Sequence, residues 1–438
     1  MNKIIKQVLS TAVITSAISC STTHAIDLGY DIAPEAPSIN VQLNGFAHFQ
    51  AGYRNQNKLE SSEKSSSPYK NDLAFFNEAA LVAHVSNLVN DVQYGAKIVL
   101  VTTAKRKSSN TYNGSHIYVA SEYGKIELGS PITPAATMMI DAGKVRAGSG
   151  NWSRYANIAP NYQKHNDLNP TFVTSPDFFL SDKFTTTLDN RSYTNEPSRS
   201  VVFYTPKFKM ADSSSIRLGI AYTPDSSNTG ADNISVFGSG TETKKIQSPA
   251  IDRFEFNLGV KDAVSGAVSL EHNFSDGIDL QFAVSGEYGK AKGTAKEFTK
   301  KEDTDPASEY HLSDLKAYNI GAVLNYGSVS YAASYGSLGN SLTTPQYHKT
   351  GRKTDYYTAG IGYKQGDFAL SFDYFRSEKF KNVAQAYSLG TSYKITDGFK
   401  PYFEVTRYTL DGRPEFFTDV PKKKTSGTVV ITGIKLSF

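Results

Sequence analysis

One cysteine, one tryptophan and four methionines are all that a chain of 438 residues contains of these types. A single thiol builds neither a disulfide framework nor a cysteine-based zinc site. No stretch of about 18 apolar residues occurs, which excludes a polytopic helical membrane protein. Charge of one sign is scarce too. The 46 basic and 42 acidic side chains leave a formal +4, so no concentrated basic face exists for nucleic acid. No His, Asp and Glu cluster has metal-ligand spacing, so neither a metal nor another cofactor is expected; Asp303-Thr304-Asp305 is a candidate for calcium between acidic loop residues, with a solvated acidic run as the simpler reading. What the chain does have is 27 Tyr and 25 Phe in a polar background with a mean hydropathy of −0.38. Aromatics at 12% argue against global disorder. The length allows two or three ordinary domains or one large β architecture.

The first residues have a three-part pattern. Lys3 and Lys6 precede an apolar run from Val8 to Ile18, and Thr23-His24-Ala25 places small residues at the −3 and −1 positions of a cut after Ala25. This predicts a secretory signal peptide over 1–25, with 26–438 as the mature protein. A lipoprotein cut before Cys20 is the alternative, which Ala17-Ile18-Ser19 fits poorly. Cleavage after Ala25 removes two lysines and the cysteine. It leaves 44 basic against 42 acidic residues and no thiol.

From Ile39 onward the apolar residues recur at every second position. Ile39, Val41, Leu43, Ala47, Phe49, Ala51 and Tyr53 share one face, and Gln42, Asn44, His48, Gln50 and Arg54 the other. Such alternation marks a strand with one apolar and one wet face. At about 15 residues it is far longer than the usual 5–6. The pattern returns in sixteen segments, at about 39–54, 72–86, 91–102, 114–121, 125–130, 199–206, 215–223, 253–274, 279–289, 314–326, 329–336, 353–363, 367–377, 383–395, 399–408 and 428–438. The eighth is overlong, with a candidate turn near Lys261-Asp262 that would raise the count to seventeen.

Short turn signals such as Glu122-Tyr123-Gly124 and Tyr326-Gly327-Ser328 alternate with long polar segments, the longest at 131–199. Short turns at one end and long loops at the other characterise outer-membrane barrels, for which an even strand count with both termini on the turn side is consistent. A soluble sandwich would have shorter strands and even turn spacing. Here the apolar face often carries aromatics at both ends of a strand, as in Tyr318 and Tyr326 or Tyr357 and Tyr363. Girdles at two membrane interfaces need that placement. In lipid every backbone group must be paired, so the sheet must close. The fold class is therefore all-β: a 16-stranded antiparallel transmembrane β-barrel, its polar face lining a wet lumen and its aromatics set in two rings.

These segments resemble the Gram-negative general porins, the trimeric family with sixteen strands. Phe76-Asn77-Glu78-Ala79 and Tyr94-Gly95-Ala96-Lys97-Ile98 flank the turn at Asn87–Asp91. Ile117-Tyr118-Val119 and Tyr123-Gly124-Lys125-Ile126-Glu127-Leu128-Gly129 look like the family's fourth and fifth strands. Val202-Phe203-Tyr204-Thr205-Pro206 and Leu218-Gly219-Ile220-Ala221-Tyr222-Thr223-Pro224 look like its sixth and seventh, and the chain ends on Gly433-Ile434-Lys435-Leu436-Ser437-Phe438. The resemblance implies short periplasmic turns, long extracellular loops and a third loop, here about 131–199, folded into the barrel. It implies a water-filled channel for passive diffusion of ions and small hydrophilic solutes in the outer membrane of a Gram-negative bacterium. The implied partners are outer-membrane lipid and lipopolysaccharide, two further copies in a homotrimer, and the barrel-assembly machinery, for which Phe438 would be the signal. Two departures stand out. Segment 131–199 is longer than the family's usual third loop, and a Pro-Glu-Phe-Gly-Gly type signature is absent from it.

Opposed charges in a constriction set ion preference. Segment 131–199 offers Asp141, Asp167, Asp177, Asp182 and Asp189 against Lys144, Arg146, Arg154, Lys164, Lys183 and Arg191. On the wall, parity turns Lys97 inward at mid-strand, followed by Arg54, Glu78 and Arg217. Glu127, Glu287, Asp373 and Glu404 share that parity and could instead brace the wall through cross-strand pairs. The signs are mixed, so the sequence gives no ion preference. A barrel enzyme would need a Ser or Asp held by a His, and no such motif surrounds the histidines. A channel selective for sugar, phosphate or amino acid is the alternative function, though no aromatic slide or arginine ladder is visible. A surface antigen or adhesin barrel is a further one that does not compete with a pore.

Overall fold

The computed structural model describes residues 39–57, 72–103, 112–156, 172–176, 178–181, 197–226, 242–248, 251–256, 259–275, 277–292, 294–298, 308–343, 353–413 and 422–438. The period-two segments form sixteen antiparallel barrel strands. The first half comprises β1 (Asn40–Gln56), β2 (Leu73–Val89), β3 (Val92–Thr103), β4 (Tyr112–Ser121), β5 (Gly124–Gly129), β6 (Ser200–Tyr204, resuming at Phe208–Ala211), β7 (Ser214–Asp225) and β8 (Val260–Ser275). The second half comprises β9 (Ile278–Ala291), β10 (Leu315–Tyr326), β11 (Val329–Gly339), β12 (Thr354–Gln365), β13 (Phe368–Lys379), β14 (Asn382–Tyr393), β15 (Phe399–Gly412) and β16 (Lys423–Ser437). Each pairs with its chain neighbours, and β1 pairs with β16 from Phe46↔Ser437 to Gln56↔Gly427, closing the sheet. Closure removes both edges, as a bilayer requires.

β6 breaks at Thr205–Lys207, and both of its pieces pair with β7. Pro206 lies in the break, where no ladder donor is needed. The overlong eighth segment also divides, but the count stays at sixteen. Ile251–Phe256 belongs to a second, four-stranded sheet with Glu242–Ser248, Thr294–Phe298 and Ser308–His311. The connections after β7 and β9 are therefore partly structured rather than only polar loops. The disturbance near Lys261-Asp262 is a register shift within β8, with Asp262 at φ 50°, and not a turn.

Turns at the end where β2 meets β3 are tight. Asn90 and Asp91, at φ 50° and 63°, form the two-residue link between β2 and β3, and Gly327 and Gly366, both at φ 57°, serve β10–β11 and β12–β13. Two successive positive φ values suit the right-handed twist of a hairpin.

The outward face is apolar and exposed along every strand, with Phe49, Phe75, Ile117, Ile220, Phe372 and Leu389 among its members. At its loop end Tyr318, Tyr335 and Tyr357 stand side by side on β10, β11 and β12, with ring centroids 5.9 and 5.0 Å apart. Tyr326, Tyr363 and Tyr393 occupy the turn end. The inner face is not wet throughout. Tyr356, Phe375, Tyr408, Leu410, Val429 and Ile431 point inward and are buried with Met139, Trp152, Tyr155, Phe172, Phe178 and Phe179 of segment 131–181. The aromatics thus fall into three groups, two outer rings and a dry core inside the barrel. Strand parity could not reveal the third, because an inward residue reads the same whether water or a loop covers it.

Candidate functional site

β5 is only six residues long, so the chain leaves the wall at Gly129, opposite His116 of β4, and turns into the lumen. From there 131–156 follows the inner wall as a belt, passing short helical turns at Pro134–Thr137, Ala142–Val145 and Trp152–Tyr155. These turns are too short to satisfy their own backbone, and wall side chains do it for them. Ala135 N–H donates to Ser265 Oγ (3.1 Å), Ala142 N–H to Thr358 Oγ1 (3.0 Å), Ala147 N–H to Ser371 Oγ (2.8 Å) and Gly150 N–H to Glu404 (2.7 Å). Asn319 Nδ2 donates to Ile140 O (3.0 Å), while Leu180 N–H donates to Glu287 (3.1 Å). The firmest tie is Arg146, which grips Asp373 of β13 with two bonds of 2.9 and 3.0 Å. A bidentate, charge-assisted pair of this kind is among the strong contacts of proteins.

The wall is thinned where the belt lies on it. A Cβ at Gly219 would stand 2.8 Å from Pro134, one at Gly362 2.7 Å from Val145 O, and one at Gly390 2.7 Å from Gly148 N; a Cβ at Gly321 would collide with Ile140 O. Gly321→Val is therefore expected to lift the belt at Ile140. Overpacking of this kind costs about 1–3 kcal/mol. The expected readout is a changed single-channel conductance with sheet circular dichroism intact. Wild-type conductance would show that the belt can shift without narrowing or widening the passage.

The sequence candidates divide between two places. Arg54 and Glu78 meet the far end of the belt: Arg54 is buried and donates to Tyr155 O (3.3 Å), and Glu78 lies 3.9 Å from Arg154, whose guanidinium sits 3.6 Å over the Phe76 ring. Beside them Tyr155 donates to Gln50 (3.1 Å), and His48 shares a 2.7 Å hydrogen bond with Tyr402. Lys97 and Arg217 stand on the wall away from that end. Lys97 points inward between His84 of β2 and His116 of β4, its cross-strand partners. Arg217 lies with its guanidinium 5.1 Å from the Tyr204 ring centroid. Asp141 is buried and accepts from Gly143 N–H at 2.5 Å, capping the turn at Ala142–Val145. Among the described residues of 131–156, Lys144 is the exposed side chain. Ala25, Asp167, Asp177, Asp182, Asp189, Lys164, Lys183, Arg191 and Asp303-Thr304-Asp305 lie outside the described residues.

Glu287, Asp373 and Glu404 face inward, as parity predicts, but they hold the belt rather than neighbouring strands. Sequence reasoning overlooked the lysines Lys364 and Lys400. They lie on the same face as Gly362 and Glu404, and parity alone could have found them.

A closed transmembrane barrel with polar and small residues on its inner wall and a segment of its own chain laid along that wall is a diffusion channel. The chain belongs to the Gram-negative porin family, whose model matches residues 10–413. It is an outer-membrane channel for passive diffusion. A Rickettsia bellii protein is 40% identical over 99% of both chains, and one from Rickettsia prowazekii is 38% identical over 91% of this chain and 92% of that one. Among solved structures, an anion-selective porin from Comamonas acidovorans matches with a TM-score of 0.50 at 12% identity, covering 92% of this chain and all of that one; the likeness is one of fold.

Proposed function

We propose that the constriction lies between the belt, on its Lys144 side, and the wall of β3–β7 that carries Lys97 and Arg217. The observation that carries this reading is the line of hydrogen bonds from Ala135 to Gly150, which holds the belt against β8 to β15, with its ends resting on Gly219 of β7 and Gln50 of β1, and supports a passage along the remaining arc. Ions and small hydrophilic solutes cross by diffusion, without a dedicated solute site. The mature protein begins after Ala25, assembles as a homotrimer in outer-membrane lipid and lipopolysaccharide, and is inserted by the assembly machinery through its β16 end. Stepwise ohmic openings in multiples of three in a planar bilayer are the expected result for the full mature chain. Folded, heat-modifiable protein that never conducts would overturn it. Saturation of conductance by a sugar, phosphate or amino acid would move the reading to a solute-selective channel. Lys97→Glu is expected to shift the zero-current potential in a salt gradient toward cations, and an unchanged potential would remove Lys97 from the narrow part.

A further inference from the structure

We infer that the pore prefers small anions, because the barrel's own acids are engaged in holding the belt while its lumen and periplasmic vestibule are left basic. The inference rests on the pore reading above. The two signs of charge divide the labour. At the level of the belt, Asp373 is bound twice by Arg146, and Glu404 accepts from Gly150 N–H, from Ser149 Oγ (3.4 Å) and from Thr406 Oγ1 (3.1 Å). Glu287 accepts from Thr133 Oγ1 (3.5 Å), and Glu78 faces Arg154. All four carboxylates therefore act on the belt.

On the periplasmic side of the belt two more inward acids are balanced locally, Glu127 by Lys125 at 2.6 Å and Glu271 by Lys207 at 3.1 Å. Apart from those pairs, the inward face on this side carries, among the described residues, Lys97, Lys209, Arg217, Lys364, Lys400 and Lys435, against the acid Asp279, which accepts from Asn325 at 2.7 Å. Hydrogen bonds or ring contacts of these side chains leave the sign of the face unchanged. Lys400 and Lys435 face each other across β15 and β16, so two positive charges are set side by side where the wall had room for a pair of opposite sign. Lys364 is the next inward residue after Gly362, against which Val145 of the belt rests. Acids of the periplasmic turns, such as Asp91 and Asp367, stand exposed at the rim, in contact with bulk salt. A low-dielectric wall focuses the field of one sign into the passage and raises the local concentration of the opposite ion.

The test is the zero-current potential of the full mature chain in a planar bilayer under a KCl gradient. The expected chloride-over-potassium permeability ratio is at least about two near 0.1 M salt, falling toward one near 1 M, as the Debye length shrinks from about 10 Å to about 3 Å. Lys364→Glu, Lys400→Glu and Lys435→Glu together are expected to reverse the preference while conductance persists. The single Lys→Gln variants, milder for folding, are expected to lower it in steps. A ratio at or below one in the wild type at low salt, in channels that conduct, overturns the inference and leaves the pore reading standing. Conducting variants with an unchanged ratio overturn the role of these lysines. Absence of any conductance from folded protein overturns the pore reading and the anion preference with it.

Discussion

Asp373→Ala is expected to give channels with a larger mean conductance and markedly noisier open states, in a barrel that still resists unfolding in detergent. Asp373 and Arg146 form the one two-bond ion pair found between belt and wall among the described residues. Breaking a buried pair by removing one partner costs about 3–5 kcal/mol, because a charge is left behind without its complement. That cost falls on the belt and not on the ladders, since β13 keeps its full register with β12 and β14. Glu404 and Asp141 also act electrostatically on Arg146, so the guanidinium is retained near the wall but no longer fixed in one geometry. Asp373→Asn keeps the shape and one acceptor and should fall between wild type and Asp373→Ala. Single-channel recording gives the noise, and heat-modifiable mobility on gels reports on the barrel. Alanine channels as quiet as the wild type would mean that the glycine contacts and the remaining hydrogen bonds suffice to hold the belt.

Deleting Phe438 is expected to lower the amount of folded protein in the outer membrane at least tenfold. Phe438 N–H donates to Gly45 O at 3.0 Å and Gly45 N–H to Phe438 O at 2.9 Å, so this residue adds the last rung between β1 and β16. Two net backbone bonds at about 1 kcal/mol each correspond to more than an order of magnitude in an equilibrium constant. Its ring also lies over Gly45, where an added Cβ would stand 2.8 Å from Cζ. Phe438→Tyr keeps rung and ring and should accumulate nearly as the wild type does. Gly45→Ala should impair closure, because the new methyl meets both that ring and Ala80 O. Equal outer-membrane levels of wild type and deletion would show that neither the rung nor an assembly signal depends on this residue.

The sequence made the barrel legible because a closed sheet between lipid and water writes its geometry as a two-residue period. One parity assignment per strand placed Arg54, Glu78, Lys97, Arg217, Glu287, Asp373 and Glu404 on the inner face. The belt was far less legible. Its course is set by single hydroxyls and glycines on separate strands, such as Ser371, Thr358 and Gly321, and a lone Ser or Gly in a strand says nothing about what lies on it. The same limit explains the roles of the acids. Inward parity fits both a cross-strand brace and an anchor for a segment more than two hundred residues away in sequence, and Asp373 is the latter. The inner core was hidden for a related reason, since Tyr408 and Ile431 only become dry once Trp152 and its neighbours arrive. The ring of Trp152 stacks on Tyr408 at 5.2 Å.

The belt also changes the barrel as a mechanical object. A sheet closed only by its ladders resists stretching around its circumference, because every rung would have to lengthen, but it ovalises easily, since bending between neighbouring strands breaks nothing. Ties from one inner segment to β8, β9, β10, β12, β13, β15 and β1 act as spokes on a rim. Squeezing the barrel along any diameter then strains several ties together. The segment that lies along the inner wall thereby also keeps the barrel's cross-section round against the lateral pressure of the membrane.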